Sequence, residues 1–460
     1  MDYNPEIDKY KETLGKTKYY TEQKPLEQEQ QKLPTFSEIF SDVSVSGSIA
    51  SFSEYHEGVV YFSSMDTYIY AINVATGELV WKFKTGGPSM STPLVHNSRI
   101  YFGSSNGYFY CLDLKGNLAW KKNTGSTVVS SAIGIGGRIF IGNGLGYFFC
   151  FSDTGEELWK YRTGDGIVAV SSAINDLVFT SSYDKHIYAF DINGNMKWKF
   201  ATGERTSASL IMENGKRVFS NTIRSWDKMP YAKNPLLYCA SYDNNIYCLD
   251  TLGKVVWKFN CGTSVPVGIG GDNNSIYAGT VNGTFFSIDA INGLENWTFR
   301  TGGMITGGAE IKDGQVFFAS FDQKLYCLSE KGDKIWDFLT GGPIVSRPLI
   351  VGDMIYFGSS DTFFYCLNLN KRNVEWTFQT GFGLPDSFQD KIQQIKNTFI
   401  EYDRKIFRVW VPENSTKSAQ QVNITDYTAK LGLDSTFVYR GIGSYLSKGK
   451  KKDAYGRTES

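Results

Sequence analysis

Eight tryptophans, Trp81, Trp120, Trp159, Trp198, Trp257, Trp297, Trp336 and Trp376, return at intervals of 39, 39, 39, 59, 40, 39 and 40 residues, each closing a near-copy of one segment. The unit around Trp120 reads Ile100-Tyr-Phe-Gly-Ser-Ser, a turn, Tyr108-Phe-Tyr-Cys-Leu-Asp113, a Gly turn, Leu118-Ala-Trp120, then Thr124-Gly125. Short runs of β-branched and aromatic residues separated by Gly, Asn and Asp are strands of a meander. A further run follows each Thr-Gly, as in Val128-Val-Ser-Ser-Ala-Ile133, so each unit holds four strands. A repeat of about 40 residues with four strands is a propeller blade. The chain is therefore predicted to be an all-β, eight-bladed β-propeller of four-stranded antiparallel blades, spanning residues 43–381.

One interval breaks the pattern. From the Gly of Thr-Gly to the next strand takes 14 residues in most units, as from Gly86 to Ile100, but 34 from Gly203 to Leu237. Blade five is expected to carry an insertion over residues 213–234, outside the blade framework, so that replacing it by a short linker leaves the melting temperature almost unchanged. The insertion holds Lys216, Arg217, Arg224, Trp226, Lys228, Tyr231 and Lys233. Aromatics mixed with cations are common interface anchors, and Arg224, Trp226, Lys228 and Tyr231 are the candidate partner-contact residues.

The repeat resembles the pyrroloquinoline-quinone-type propeller family, whose docking motif runs Ala-x-Asp, two or three residues, then Gly-x-x-x-Trp. Blade four supplies Ala189-Phe-Asp191-Ile-Asn-Gly194-Asn-Met-Lys-Trp198, and blade six Ser287-Ile-Asp289-Ala-Ile-Asn-Gly293-Leu-Glu-Asn-Trp297. A Trp has a large ring to bury and an indole N–H to satisfy, so the eight tryptophans are assigned to docking between blades. The resemblance implies two kinds of relative. One is a secreted quinone dehydrogenase that holds the quinone and a calcium ion on the axis beneath a vicinal disulfide. The other is a non-enzymatic propeller of the bacterial outer-membrane assembly machinery, which binds partners. No adjacent Cys pair is present, so the expectation is the scaffold role, without catalysis or cofactor.

Composition bears on location and ligands. With 47 basic and 47 acidic residues the formal net charge is zero, which gives no electrostatic footprint for nucleic acid. The sequence opens Met1-Asp-Tyr-Asn-Pro-Glu and stays polar through Pro34, and no run of 18 apolar residues occurs. A soluble, cytoplasmic protein with no membrane span is expected. Cys111, Cys150, Cys248, Cys327 and Cys366 share one repeat position with Ala71, Ala189 and Ser287. A slot that accepts Ala, Ser or Cys is small and buried, so these are expected to be free core thiols. The three histidines stand apart, without metal-ligand spacing, and are expected on the surface; no metal site is predicted. Gly134-Ile-Gly136-Gly137 and Gly142-Asn-Gly144-Leu-Gly146 imitate dinucleotide fingerprints but lie between strands and read as turns.

The axial positions offer one further candidate. Six residues after each Thr-Gly glycine stand Thr92, Ser131, Val170, Ser209, Gly268, Gly308 and Arg347, and Arg205 replaces small or apolar residues at its own repeat position. Arg205 and Arg347 could hold a small anionic ligand near the axis, or pair with Asp165, Glu204 or Glu310. Outside the propeller, residues 1–42 are expected to be disordered or partly helical. Residues 382–460 carry an amphipathic helix over 386–404, a strand over 405–411, and a basic tail at 448–452. The function expected from the whole is a protein-interaction scaffold, with a small-molecule sensor and a quinone dehydrogenase as alternatives.

Overall fold

The computed structural model describes residues 47–380, apart from 169–170, 175, 214–215, 220–234, 267–268 and 273–274. The expected terminal extensions, the helix over 386–404 and the strand over 405–411 lie outside the described residues. Among those described there is no helix, and none therefore that is long and apolar enough to cross a membrane. Eight antiparallel sheets follow one another along the chain, each formed from consecutive strands. Blade one is typical, with strands Glu54–His56, Val59–Ser63, Tyr68–Asn73 and Leu79–Lys84. Its two middle strands are buried on both faces, and the fourth alternates between exposed and half-buried positions. First strands of neighbouring blades lie side by side around the axis.

The small slot and the tryptophan explain each other. Across the ladder between third and fourth strands, Ala71 faces Trp81, Cys111 faces Trp120, Cys150 faces Trp159 and Ser287 faces Trp297. In each of these pairs a β-bulge follows at once. A bulge re-aims the side chains beside it; here it turns the indole toward the next blade. That indole donates to a carbonyl there, as from Trp81 to Leu114 at 3.0 Å and from Trp257 to Ala290 at 2.9 Å. It also lies against the turn glycine: a Cβ on Gly116 or Gly293 would fall 2.7 Å from the ring. Both glycines have positive φ, so a side chain is disfavoured twice over.

The ring closes by the same docking and without exchange of a strand. Trp376 of blade eight donates to Val74 of blade one at 2.9 Å and packs on Gly77. Phe62 and Phe364 stack with centroids 4.1 Å apart, and the Thr380 hydroxyl bonds the Gly47 carbonyl at 2.5 Å. The last described residue thus meets the first.

Blade five corrects the four-strand expectation. Its first strand, Thr206–Glu213, is eight residues long where the others have three or four, and a fifth strand, Lys216–Phe219, pairs along its inner edge. The start of the insertion is therefore part of the sheet, beside the first strands of blades four and six. The candidate residues Arg224, Trp226, Lys228 and Tyr231 lie outside the described residues.

Candidate functional site

A second repeated network, not foreseen from the sequence, seals the blades. In the turn between second and third strands, Asp66, Asp184, Asp243, Asp322 and Asp361 each accept a hydrogen bond of 2.6 Å from a tyrosine four residues on. Four of these carboxylates also accept the backbone N–H of the preceding Thr-Gly glycine, from Gly164, Gly203, Gly302 and Gly341 at 2.7–2.8 Å. The adjoining threonine hydroxyl bonds back to carbonyls on either side, as from Thr163 to Gly146 and Asp165. The signal was present as an Asp-x-x-x-Tyr spacing in five blades. Those four carboxylates hold the seams together and are not arranged for acid–base chemistry. Burial raises the Asp66 carboxyl to about 6 against the hydrogen bonds from Tyr70, Ser64 and Tyr68.

The inner edge is built from small side chains and one ion pair. The Phe52 N–H donates to the Thr92 hydroxyl at 3.3 Å, and the Thr92 N–H to the Ser131 hydroxyl at 3.0 Å, stepping from blade to blade. Arg347 is buried in blade eight and bonds the Glu310 carboxylate of blade seven. Glu54 of blade one is buried at the repeat position that Glu310 occupies in blade seven. Two carboxylates at one register therefore flank the arginine blade. Glu54 was overlooked because its position reads Leu94, Ile133 and Leu349 in other blades. Arg205 stands three blades away, its guanidinium 5.2 Å over the Tyr183 ring, while its neighbour Glu204 pairs with Lys185 at 2.8 Å. The structure thus holds the two candidate arginines on separate partners.

Among the described residues no three His, Cys, Asp or Glu side chains group as a metal site. The axial donors described, hydroxyls, the buried Glu54 carboxylate and one Arg–Glu pair, do not supply the carboxylate-and-amide set that a calcium-bound quinone needs. All seven cysteines are free and buried. Burial pushes the Cys150, Cys248, Cys261 and Cys327 thiols up to about 12 and that of Cys366 to about 11, so they are poor nucleophiles. His96 departs from the surface expectation. It is buried, its ring packed on Gly134 and its Nε2 2.5 Å from the Gly136 carbonyl.

Comparison with known proteins agrees with the geometry. Four overlapping stretches, residues 38–134, 126–225, 213–321 and 300–389, match the family model described as outer membrane protein assembly factor BamB. No curated protein matches the chain. Among solved structures, BamB from Moraxella catarrhalis superposes with a TM-score of 0.53 at 17% identity, covering 68% of this chain and 91% of that one. Sqt1 of Saccharomyces cerevisiae gives a TM-score of 0.58 at 11% identity, covering 69% and 95%. A quinohemoprotein alcohol dehydrogenase from Pseudomonas putida gives 0.56 at 14%, covering 70% and 71%. At these identities the superpositions establish the propeller alone, whereas the repeat model spans three quarters of the sequence; the chain belongs to the BamB-like family of pyrroloquinoline-quinone-type repeat propellers.

Proposed function

We propose that the chain is a non-catalytic scaffold that binds other proteins. The observation that carries this reading is where apolar surface is left in water. Leu252, in the third-to-fourth turn of blade five, is 69% exposed, and Ile291 and Leu294, in the same turn of blade six, are 62% and 66% exposed. Exposed apolar surface marks partner sites, and these three are the most exposed large apolar side chains among the described residues. The carboxylates that could have served catalysis are instead committed to the seams, and the thiols are buried. The axial sensor has less support, since an anion at Arg347 would have to displace Glu310.

We further propose a reducing, cytoplasmic setting, supported by seven thiols of which none is paired. Thiol alkylation of freshly isolated protein should find all seven free only after unfolding; an intramolecular disulfide would contradict this placement. The scaffold reading is tested by affinity capture from native lysate with the full chain, with a Leu252→Glu, Ile291→Glu, Leu294→Glu triple variant, and with residues 220–234 replaced by a Gly-Asn linker. Specific partners should be lost in at least one variant. An unchanged partner list in both, or quinone binding with dye reduction in the presence of calcium, would overturn it.

A further inference from the structure

Blades two and three open their second strands on arginines, Arg99 and Arg138. Arg99 crosses to the next blade and donates to the Asp153 carbonyl at 3.3 Å, the same oxygen that accepts the Trp120 indole. Arg138 reaches the Asn193 side chain, also at 3.3 Å, in the corresponding turn of blade four. At this repeat position the remaining blades carry Val59, Leu177, Leu236, Ser275, Gln315 and Met354. Ser275, in blade six, is the single small residue of the set.

Where that side chain is short a cleft of about 420 Å³ opens between blades six and seven. Tyr277 and Trp297, with ring centroids 5.9 Å apart, line it together with Ile311, and Glu330 and Lys331 belong to the turn across the seam. Asn296 spans the floor, donating to the Ser275 and Ser287 hydroxyls at 3.3 Å each. The Glu330 carbonyl accepts the Trp297 indole at 2.7 Å. It corresponds to the Asp153 carbonyl, which takes an arginine as well as an indole. Ala290 likewise accepts both Trp257 and the Tyr238 hydroxyl, so a carbonyl at this position can take two donors.

We propose that this cleft receives an arginine side chain from a protein partner, which supplies in trans the residue that Arg99 and Arg138 supply within the chain. The inference rests on the scaffold reading and names the chemistry of the partner. A guanidinium is planar, can lie along aromatic walls, and presents several donors at once to the Glu330 carbonyl, its carboxylate and the hydroxyl floor. A lysine has a strongly hydrated point charge in place of that fork, and no blade uses one at this position. Lys331 is an exposed like charge at the mouth, opposed by Glu330 beside it.

The probes are two capped tripeptides, acetyl-Gly-Arg-Gly-amide and acetyl-Gly-Lys-Gly-amide, titrated calorimetrically into the full chain. The arginine peptide should bind about tenfold more tightly than the lysine peptide. Ser275→Arg should weaken it by about tenfold or more, because the cleft then holds its own guanidinium as in blade two. Ser275→Leu, the residue of blades four and five, should do the same, and both should keep the parent melting temperature. Lys331→Glu should strengthen binding by about threefold. Equal affinity for the two peptides, undiminished binding by both Ser275 variants, or no saturable heat would overturn the inference. If partner capture through the turns of blades five and six persists while the arginine peptide does not bind, this inference falls and the scaffold reading stands.

Discussion

At the outer rim one contact is copied at seven of the eight joints: an indole, a turn glycine and a carbonyl, with the glycines at φ between +73° and +89°. At the inner edge the same repeat positions hold hydroxyls, a buried Arg–Glu pair and, in blade five, an extra strand. The rim supplies cohesion, which every joint needs, and its sequence keeps to one pattern at seven of the eight joints. The inner strands are backed by neighbours on both sides and tolerate variation as long as each buried polar group finds a partner.

The largest test of that contrast is at the rim. Trp257 is the most buried of the docking tryptophans, 9% exposed, and its ring lies on Gly293 while its N–H bonds Ala290. Trp257→Ala should cost about 4 kcal/mol, read as a shift in the denaturant midpoint, with exposure of the Cys248 thiol as a local signal. A loss under 1 kcal/mol would mean that the joint holds without its indole.

The inner edge should answer differently. Arg347→Met removes the arginine that faces the half-buried Glu310 carboxylate and should cost about 3 kcal/mol. Adding Glu310→Leu removes the uncompensated carboxylate charge of the pair and should recover most of that loss, as ion pairs replaced by apolar residues often do. If the double variant is no more stable than the single one, the pair is a structural requirement and the proposed tolerance of the inner edge is wrong.

How much of this was legible follows from the same contrast. The tryptophans, the Thr-Gly pairs and the shared Cys slot repeat with fixed spacing, so blade number and docking could be read before any coordinate. Arg347 and Glu310 were visible as candidates, but their pairing depends on blades 37 residues apart in sequence meeting at the axis. The fifth strand at Lys216–Phe219 was missed because an insertion has no repeat to be compared with. The cleft at Ser275 was missed for the opposite reason: a small residue among large ones is a gap in a pattern, and gaps show only when the neighbours are placed.

Asp66 tests the same turn position by pH. Its carboxyl is raised to about 6 in the folded protein from an ordinary 3.8, so between those values the folded chain holds a proton that the unfolded chain has lost. Stability therefore falls as pH rises through this window, and the cost of the buried charge is complete above it. Blade two carries Asn106 at this position, donating to the carbonyl of Thr85. Asp66→Asn should accordingly stabilise the protein by about 2 kcal/mol at pH 7.5 and by almost nothing at pH 4. A gain independent of pH would assign the effect to hydrogen bonding and not to charge.

The smallest predicted effect lies at the one rim joint that departs from the plan. Blade eight places Arg372, at φ +55°, where the other seven have a docking glycine. A residue with a Cβ pays a steric cost in this left-handed region, of about 1 to 2 kcal/mol, while glycine loses more backbone entropy on folding, by about 0.5 to 1 kcal/mol. The balance favours glycine by about 1 kcal/mol, provided that Trp336 can settle on the turn as Trp297 settles on Gly332. Arg372→Gly should raise the unfolding midpoint by that amount, with no change at the other joints. If it instead lowers stability, the arginine side chain contributes packing over Trp336 that outweighs its backbone strain, and the joint between blades seven and eight is held by a different contact from the rest of the rim.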